Sequence, residues 1–208
     1  MIRTIADFAP EHEEVGVGLA LQDGEGRYMF MLAGSRYRCP AGELLYAGVG
    51  GHREEGENWT MCARREASEE IGTDVEVFSA PITWYIPQRA PIQQLEVVDL
   101  PRPLAFYEWI HPPGTRRAGE LYRLVIYNAR VVDALGSFPA EELCGVILLT
   151  AEQVMRGPTR KPTLAELIDE GAFLITGSES INQCIRLYPV GTAMALAHVL
   201  THTFTIRP

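Results

Sequence analysis

Apolar residues at 15–21 and 28–32 form two runs separated by Asp23-Gly24-Glu25-Gly26, a set of turn formers, and this pattern predicts a β-hairpin. A stretch punctuated by Gly and Pro follows at 34–42, and residues 44–49 predict a short strand running into Gly50-Gly51. The period then changes. Asn58 is a suitable N-cap for a helix that continues to Ile71, where Gly72 supplies the left-handed residue that commonly ends one. Residues 75–86, 104–110 and 121–132, rich in Val, Ile, Tyr, Phe and Trp, predict three longer strands.

Between the last two strands, residues 111–120 are too polar and too rich in Pro and Gly to be buried, and they predict a surface loop at the edge of a binding site. A further strand is expected at 144–149 and a helical turn at 151–156. Beyond Gly157-Pro158 the texture changes: residues 164–171 and 181–203 carry helical spacing, which Pro189 and Gly191 should kink or split. The reading is a mixed α/β unit at residues 1–157 with a helical extension at 158–208. That extension either packs on the same unit or makes a homodimer contact.

Composition narrows the class. The 208 residues are 47% hydrophobic and 22% charged, which fits one large domain or a domain with an extension and excludes disorder. Mean hydropathy is -0.01. No apolar run approaches the ~18 residues that cross a bilayer. The first fourteen residues lack the basic-then-apolar pattern of a secretion signal. A cytoplasmic location without membrane attachment is therefore expected. Lys161 is the sole lysine and the net charge is -9, so a nucleic-acid polymer is not an expected partner, and a phosphate-binding loop of the Gly-Lys-Ser/Thr type is absent. Four scattered cysteines, with no Cys-x-x-Cys pair, read as reduced thiols.

The chemistry concentrates in residues 51–73. On a helix, Glu66, Glu69 and Glu70 stand at i, i+3 and i+4 and share one stripe, while Ala63, Ala67 and Ile71 form a neighbouring stripe of small or apolar side chains. Such a helix can lie close on a sheet and present three acids along its edge. Three carboxylates this close repel one another unless something positive sits among them. An all-oxygen set suits Mg²⁺ or Mn²⁺ rather than zinc. Glu57, just after Gly56, could add a fourth carboxylate or orient the others. Arg65 lies on a different face from Glu66 and is better placed to hold Glu57 by a charged hydrogen bond than to touch metal. Most glutamate-rich helices are merely solvated faces, but here seven positions are fixed together, which chance would supply on the order of once in a million such chains.

These residues resemble the Nudix box: a glycine at 51, a glutamate at 57, the Arg65-Glu66 pair, the Glu69-Glu70 pair and a closing Gly72 stand at that family's spacings. Ala67 and Thr73 depart from it, standing where larger aliphatic residues are usual; both are packing positions. The resemblance implies an α/β/α sandwich with a mixed sheet over roughly residues 15–156. It further implies divalent-cation-dependent hydrolysis of a small nucleoside diphosphate linked to another moiety, such as a nucleotide sugar, an ADP-ribose-like compound or a nucleoside triphosphate. On this reading Glu66, Glu69 and Glu70, with Glu57, hold the metal. Glu69 and Glu70 are the catalytic pair, and Glu69 is the first choice as general base. Glu120 and Glu142 are the alternatives, since in this family the base sometimes comes from a later loop. A non-catalytic module that binds nucleotide derivatives, and an isomerase on the same fold, are the competing readings.

Outside the box, Arg36 and Arg38, and in the later loop Arg116, Arg117 and Glu120, are candidate substrate contacts. Among Trp84, Tyr85, Tyr107 and Trp109 most are expected in the core, with one available to stack on a base. His198 and His202, four apart, read as a packed or surface pair. Between Gly51 and Glu76 eight acids face three arginines, so this segment alone carries a formal -5 and holds more than half of the net charge.

Overall fold

The computed structural model describes residues 2–10, 15–111, 117–136, 141–176 and 180–206. The expected hairpin is present: β1 (Val15–Gln22) and β2 (Tyr28–Ala33) pair antiparallel across the Asp23–Gly26 turn. β3 (Glu43–Ala47) then leads through Gly48–Gly51 to α2 (Trp59–Ile71), a short α1 (Ile5–Phe8) having preceded β1. The strands that follow are β4 (Val75–Phe78), β5 (Thr83–Ile86), β6 (Gln93–Leu95), β7 (Ala105–Ile110), β8 (Leu121–Val131) and β9 (Leu143–Leu149). Then come α3 (Ala151–Arg160), α4 (Leu164–Asp169), β10 (Phe173–Thr176), β11 (Arg186–Pro189) and α5 (Thr192–Ile206).

The strands form one mixed sheet in the order β10-β9-β2-β1-β8-β7-β5-β6, with β3 joining β2 and β11, and β4 joining β8. The central pair, β1 and β8, is parallel from Val15↔Arg123 to Gln22↔Arg130. β1 is buried on both faces, and its alternation separates two cores. Val17, Leu19 and Leu21 face α1 and α2 with Val125, Tyr127, Val146 and Leu148. The opposite face, with Phe30, Leu32, Ile126 and Ile147, packs on α3, α4 and α5 through Val154, Leu164, Leu167 and Leu196. This is an α/β/α sandwich, and each large apolar side chain so buried is worth about 1.5–3 kcal/mol.

The structure departs from the sequence reading in three places. Residues 75–86 form two strands, not one: β4 pairs with β8 and β5 with β7, and the break falls at Pro81, which has no N–H for a ladder. α3 runs past Pro158 to Arg160. The extension is not wholly helical, because β10 pairs antiparallel with β9 and β11 parallel with β3. The expected break at Pro189 and Gly191 is where β11 ends and α5 begins, with Gly191 at φ 51°.

Candidate active site

The site is built where α2 meets the loop after β3. Asn58 caps α2, its side chain accepting from the Met61 N–H, and Gly72 closes it at φ 65°. Cys62, Ala63, Ala67 and Ile71 are buried against the sheet; the small residues let the helix sit close, and this leaves the acidic stripe at its edge. The loop lies along β1, with Val17 donating to the Gly51 carbonyl at 2.8 Å and Leu19 to that of Val49 at 2.9 Å. Gly50 and Gly51 are glycines for steric reasons. A Cβ on Gly50 would stand 2.1 Å from the Val17 carbonyl oxygen, and one on Gly51 would stand 2.2 Å from Glu66 Oε1.

Arg65 is the cation that the crowded acids require. Its Nε and Nη2 donate to the two oxygens of Glu57 at 2.8 and 3.1 Å, and Nη2 also donates to the His52 carbonyl at 2.9 Å. Its Nη1 reaches Glu66 Oε1 at 2.9 Å and Glu69 Oε2 at 3.1 Å. The side chain leaves the helix on another face than Glu66, yet its length carries the guanidinium round to Glu66 as well. The Arg65 guanidinium, followed by the Glu54 N–H, holds the Glu57 carboxyl down at about 2. Glu57 is thus placed as the partner of Arg65 and braces the box.

The three helix acids differ. Glu66 has a side chain only 12% exposed, and burial pushes its carboxyl up against the pull of Arg65; Glu69, at 59%, faces solvent. Glu70 is the most perturbed. Burial first, then the neighbouring Glu66, Glu142 and Glu69 carboxylates, push it up to about 8, although the Gly50 N–H donates to its Oε2 at 3.0 Å. Among the described residues it has no cationic partner. With Tyr37, Glu142 and Val190 it lines a cavity of about 160 Å³.

Among the described residues no three His, Cys, Asp or Glu side chains converge as a ready-made metal cage, because Arg65 draws Glu57, Glu66 and Glu69 toward itself. The donor chemistry nonetheless fits a hard divalent cation: Glu66 and Glu70 are oxygen donors on one helix edge, and burying Glu70 without a counter-charge is costly until one arrives.

The remaining predicted residues scatter. Arg36 is ion-paired with Glu142 at the mouth of the Glu70 cavity. Arg38 is exposed on the same loop and bonds to none of the box acids. Arg117 pairs with Glu120 at 2.6 Å just before β8, and Arg116 lies outside the described residues. Of the later carboxylates, the structure therefore brings Glu142, and not Glu120, to Glu70. Tyr37 and Val190 were not anticipated, and nothing in their local sequence marks them. His202 is used by the His198 carbonyl and the Trp84 ring, which is a packed arrangement.

The family model of the NUDIX domain matches residues 12–169, well over half of the chain and all of the box, from Gly51 to Thr73. The chain belongs to the Nudix family. As a Nudix hydrolase it acts on phosphoanhydride bonds; the family works on small nucleotide derivatives and generally uses divalent metal ions. No curated protein sequence matches it. Similar solved structures include a NUDIX hydrolase from Nitrosomonas europaea, at 18% identity and TM-score 0.39, over 62% of this chain and 64% of that one. An Ap4A hydrolase from C. elegans is similar at 10% identity and TM-score 0.48, covering 93% of this chain and 98% of that one. A NUDIX-family hydrolase from Clostridium perfringens is similar at 11% identity and TM-score 0.46, covering 91% and 97%. Among the described residues no helix of the Nudix hydrolase is long and apolar enough to cross a membrane.

Proposed function

We propose that this chain is a Mg²⁺-dependent pyrophosphohydrolase that cleaves a small nucleoside diphosphate linked to another moiety: a nucleotide sugar, an ADP-ribose-like compound or a nucleoside triphosphate. The observation that carries the reading is Glu70, a buried carboxylate pushed up to about 8 with no cationic partner among the described residues, one helical turn from Glu66 and open to a cavity. Such a group is poised to trade its proton for a cation.

Glu66 and Glu70, with Glu69 at the rim, are the residues that hold Mg²⁺ or Mn²⁺. The chemistry such a cation supplies when bound is neutralisation of the diphosphate and polarisation at phosphorus. Arg65 keeps Glu66 in place and Glu57 keeps Arg65 in place, so the donors are oriented before substrate arrives. Water adds to phosphorus, the anhydride P–O bond breaks, and the leaving phosphate takes its electron pair. Glu69 accepts the water's proton in the first assignment; Glu142 does so in the second, which is favoured by its place in the Glu70 cavity. Arg36, released from Glu142, is available to a substrate phosphate. The segment 158–208 acts as part of the same unit, in a cytoplasmic enzyme.

The test is phosphate or nucleotide release from ADP-ribose, dinucleoside polyphosphates, nucleotide sugars and nucleoside triphosphates, with and without Mg²⁺. Turnover of at least one class only with the cation is expected. Tight binding without any turnover would replace the enzyme by a binding module.

A further inference from the structure

The segment beyond Gly157 reaches the catalytic loop. β11 lies beside β3 from Arg186↔Glu43 to Pro189↔Tyr46, and the Val190 N–H donates to the Tyr46 carbonyl at 2.9 Å. The chain turns at Gly191 and enters α5, whose Thr192 side chain fills the space that Cβ atoms on Gly18 and Gly48 would take, 2.1 and 2.9 Å away. Val190 lines the Glu70 cavity and also a second cavity of about 440 Å³.

That second cavity is walled by Tyr107 and Trp109 of β7, Tyr188 of β11, Met194 and His198 of α5, and Gln88 beyond β5. Among the described residues no lysine or arginine lines it, and Glu108 is its carboxylate. It lies on the α5 face of the sheet, and Trp109, near the end of β7, belongs to the same end of the sheet as Gly16, which bridges His52. Trp109 stands opposite Tyr122 on β8, and the Tyr122 ring lies 5.4 Å from that of His52, the residue following Gly51. A path of aromatic side chains therefore runs from the cavity to the glycine against which Glu66 packs.

We propose that this cavity receives the nucleobase of the substrate, so that residues of the extension, Tyr188, Val190, Met194 and His198, decide which base is accepted. The proposal rests on the hydrolase reading above. Its volume lies in the range of ligand pockets, and aromatic walls with the Glu108 carboxylate among them favour a flat ring over a phosphate. The Gln88 amide, donor and acceptor at once, can read the edge of that ring. Phosphates then fall on the Val190 side, toward Glu70 and Arg36.

The test uses the full chain. Binding of AMP, GMP, CMP and UMP without added metal is measured by equilibrium dialysis for the native protein and for Trp109→Ala, Met194→Trp and the exposed-site variant Gln88→Ala, each checked for an intact thermal transition. At least one mononucleotide should bind, with Trp109→Ala and Met194→Trp weakening it about tenfold or more, as loss of one base-stacking surface does. Gln88→Ala should change the order of preference among the four bases. In turnover, the loss in the first two variants should fall more on KM than on kcat. Native protein that hydrolyses nucleoside diphosphate derivatives, with unchanged binding and KM in folded Trp109→Ala and Met194→Trp, overturns the pocket and leaves the enzyme reading standing. Mononucleotide binding sensitive to these variants in a protein that hydrolyses nothing overturns the enzyme reading and keeps the pocket.

Discussion

The Cα of Gly51 packs directly on the carboxylate of Glu66: a Cβ there would stand 2.2 Å from Oε1 and 2.4 Å from Cδ. The first glycine of the box thus sets the position of its first helix acid. Gly51→Ala must push that carboxylate aside, which costs little stability because it is the far end of a flexible side chain, but displaces the donor itself. Thermal melts should show a modest loss of stability, and Mg²⁺-dependent turnover should fall far more than the melt does. Full activity would mean that Glu66 need not stay where it is.

Arg65 serves Glu57, Glu66, Glu69 and the His52 carbonyl with one planar fork. A lysine keeps the charge but cannot reach all four. Arg65→Lys is expected to destabilise the fold by about 1.5–3 kcal/mol, the range for hydrogen bonds to charged groups. That corresponds to a melting shift of several degrees in a chain of this size. Mg²⁺ affinity, read by titration, should weaken in the same variant.

Glu70 sets a pH dependence whose sign is fixed. Its carboxyl rises from an ordinary 4.5 to about 8 in the fold, so between those values the native state keeps a proton that the unfolded chain has released. Metal-free stability should therefore fall as pH rises through that window. Glu57 acts in the opposite sense and lower: held at about 2, it contributes stability above 4.5 that is lost as pH falls toward 2. Because a cation takes the place of the Glu70 proton, the melting gain on adding Mg²⁺ should be larger near about pH 8.5 than near about pH 6. Glu70→Gln should flatten the metal-free slope; an unchanged slope would place its origin elsewhere.

Glu69 and Glu142 compete for the role of base. Glu69 is exposed and tied to Arg65, while Glu142 shares a cavity with Glu70 and is tied to Arg36. Replacing the base by glutamine should lower kcat by about 10²–10⁴ and remove the limb of the pH profile that it causes. Replacing the other should cost much less. Glu69→Gln and Glu142→Gln, assayed side by side, separate them.

The part of the site that the sequence made legible is the part built from one helix. Asn58, the i, i+3, i+4 acids and Gly72 follow from local rules, and the structure realises the helix from Trp59 to Ile71. The pairing of Arg65 with Glu57 was legible too, through charge and proximity, whereas its reach to Glu66 depends on a rotamer. What joins the box from far along the chain was not readable as a place. Glu142 comes to Glu70 only because β9 pairs with β2 beside β3, and Val190 comes only because β11 adds to β3. The strands of the extension, four residues each, are too short for a period to show, and Pro189 reads as a breaker although it ends an edge strand.

The central claim is that Glu70 holds the cation on which hydrolysis depends. The most direct measurement is the rate of anhydride hydrolysis by native protein and by Glu70→Gln as Mg²⁺ is titrated, on whichever nucleoside diphosphate derivative the native protein turns over. The account predicts saturable Mg²⁺-dependent turnover in the native protein. In the variant it predicts a loss of about a thousandfold, the order seen when an electrostatic anchor of the transition state is removed, with the fold intact by circular dichroism. Near-native turnover by Glu70→Gln, or native turnover indifferent to Mg²⁺, would contradict it.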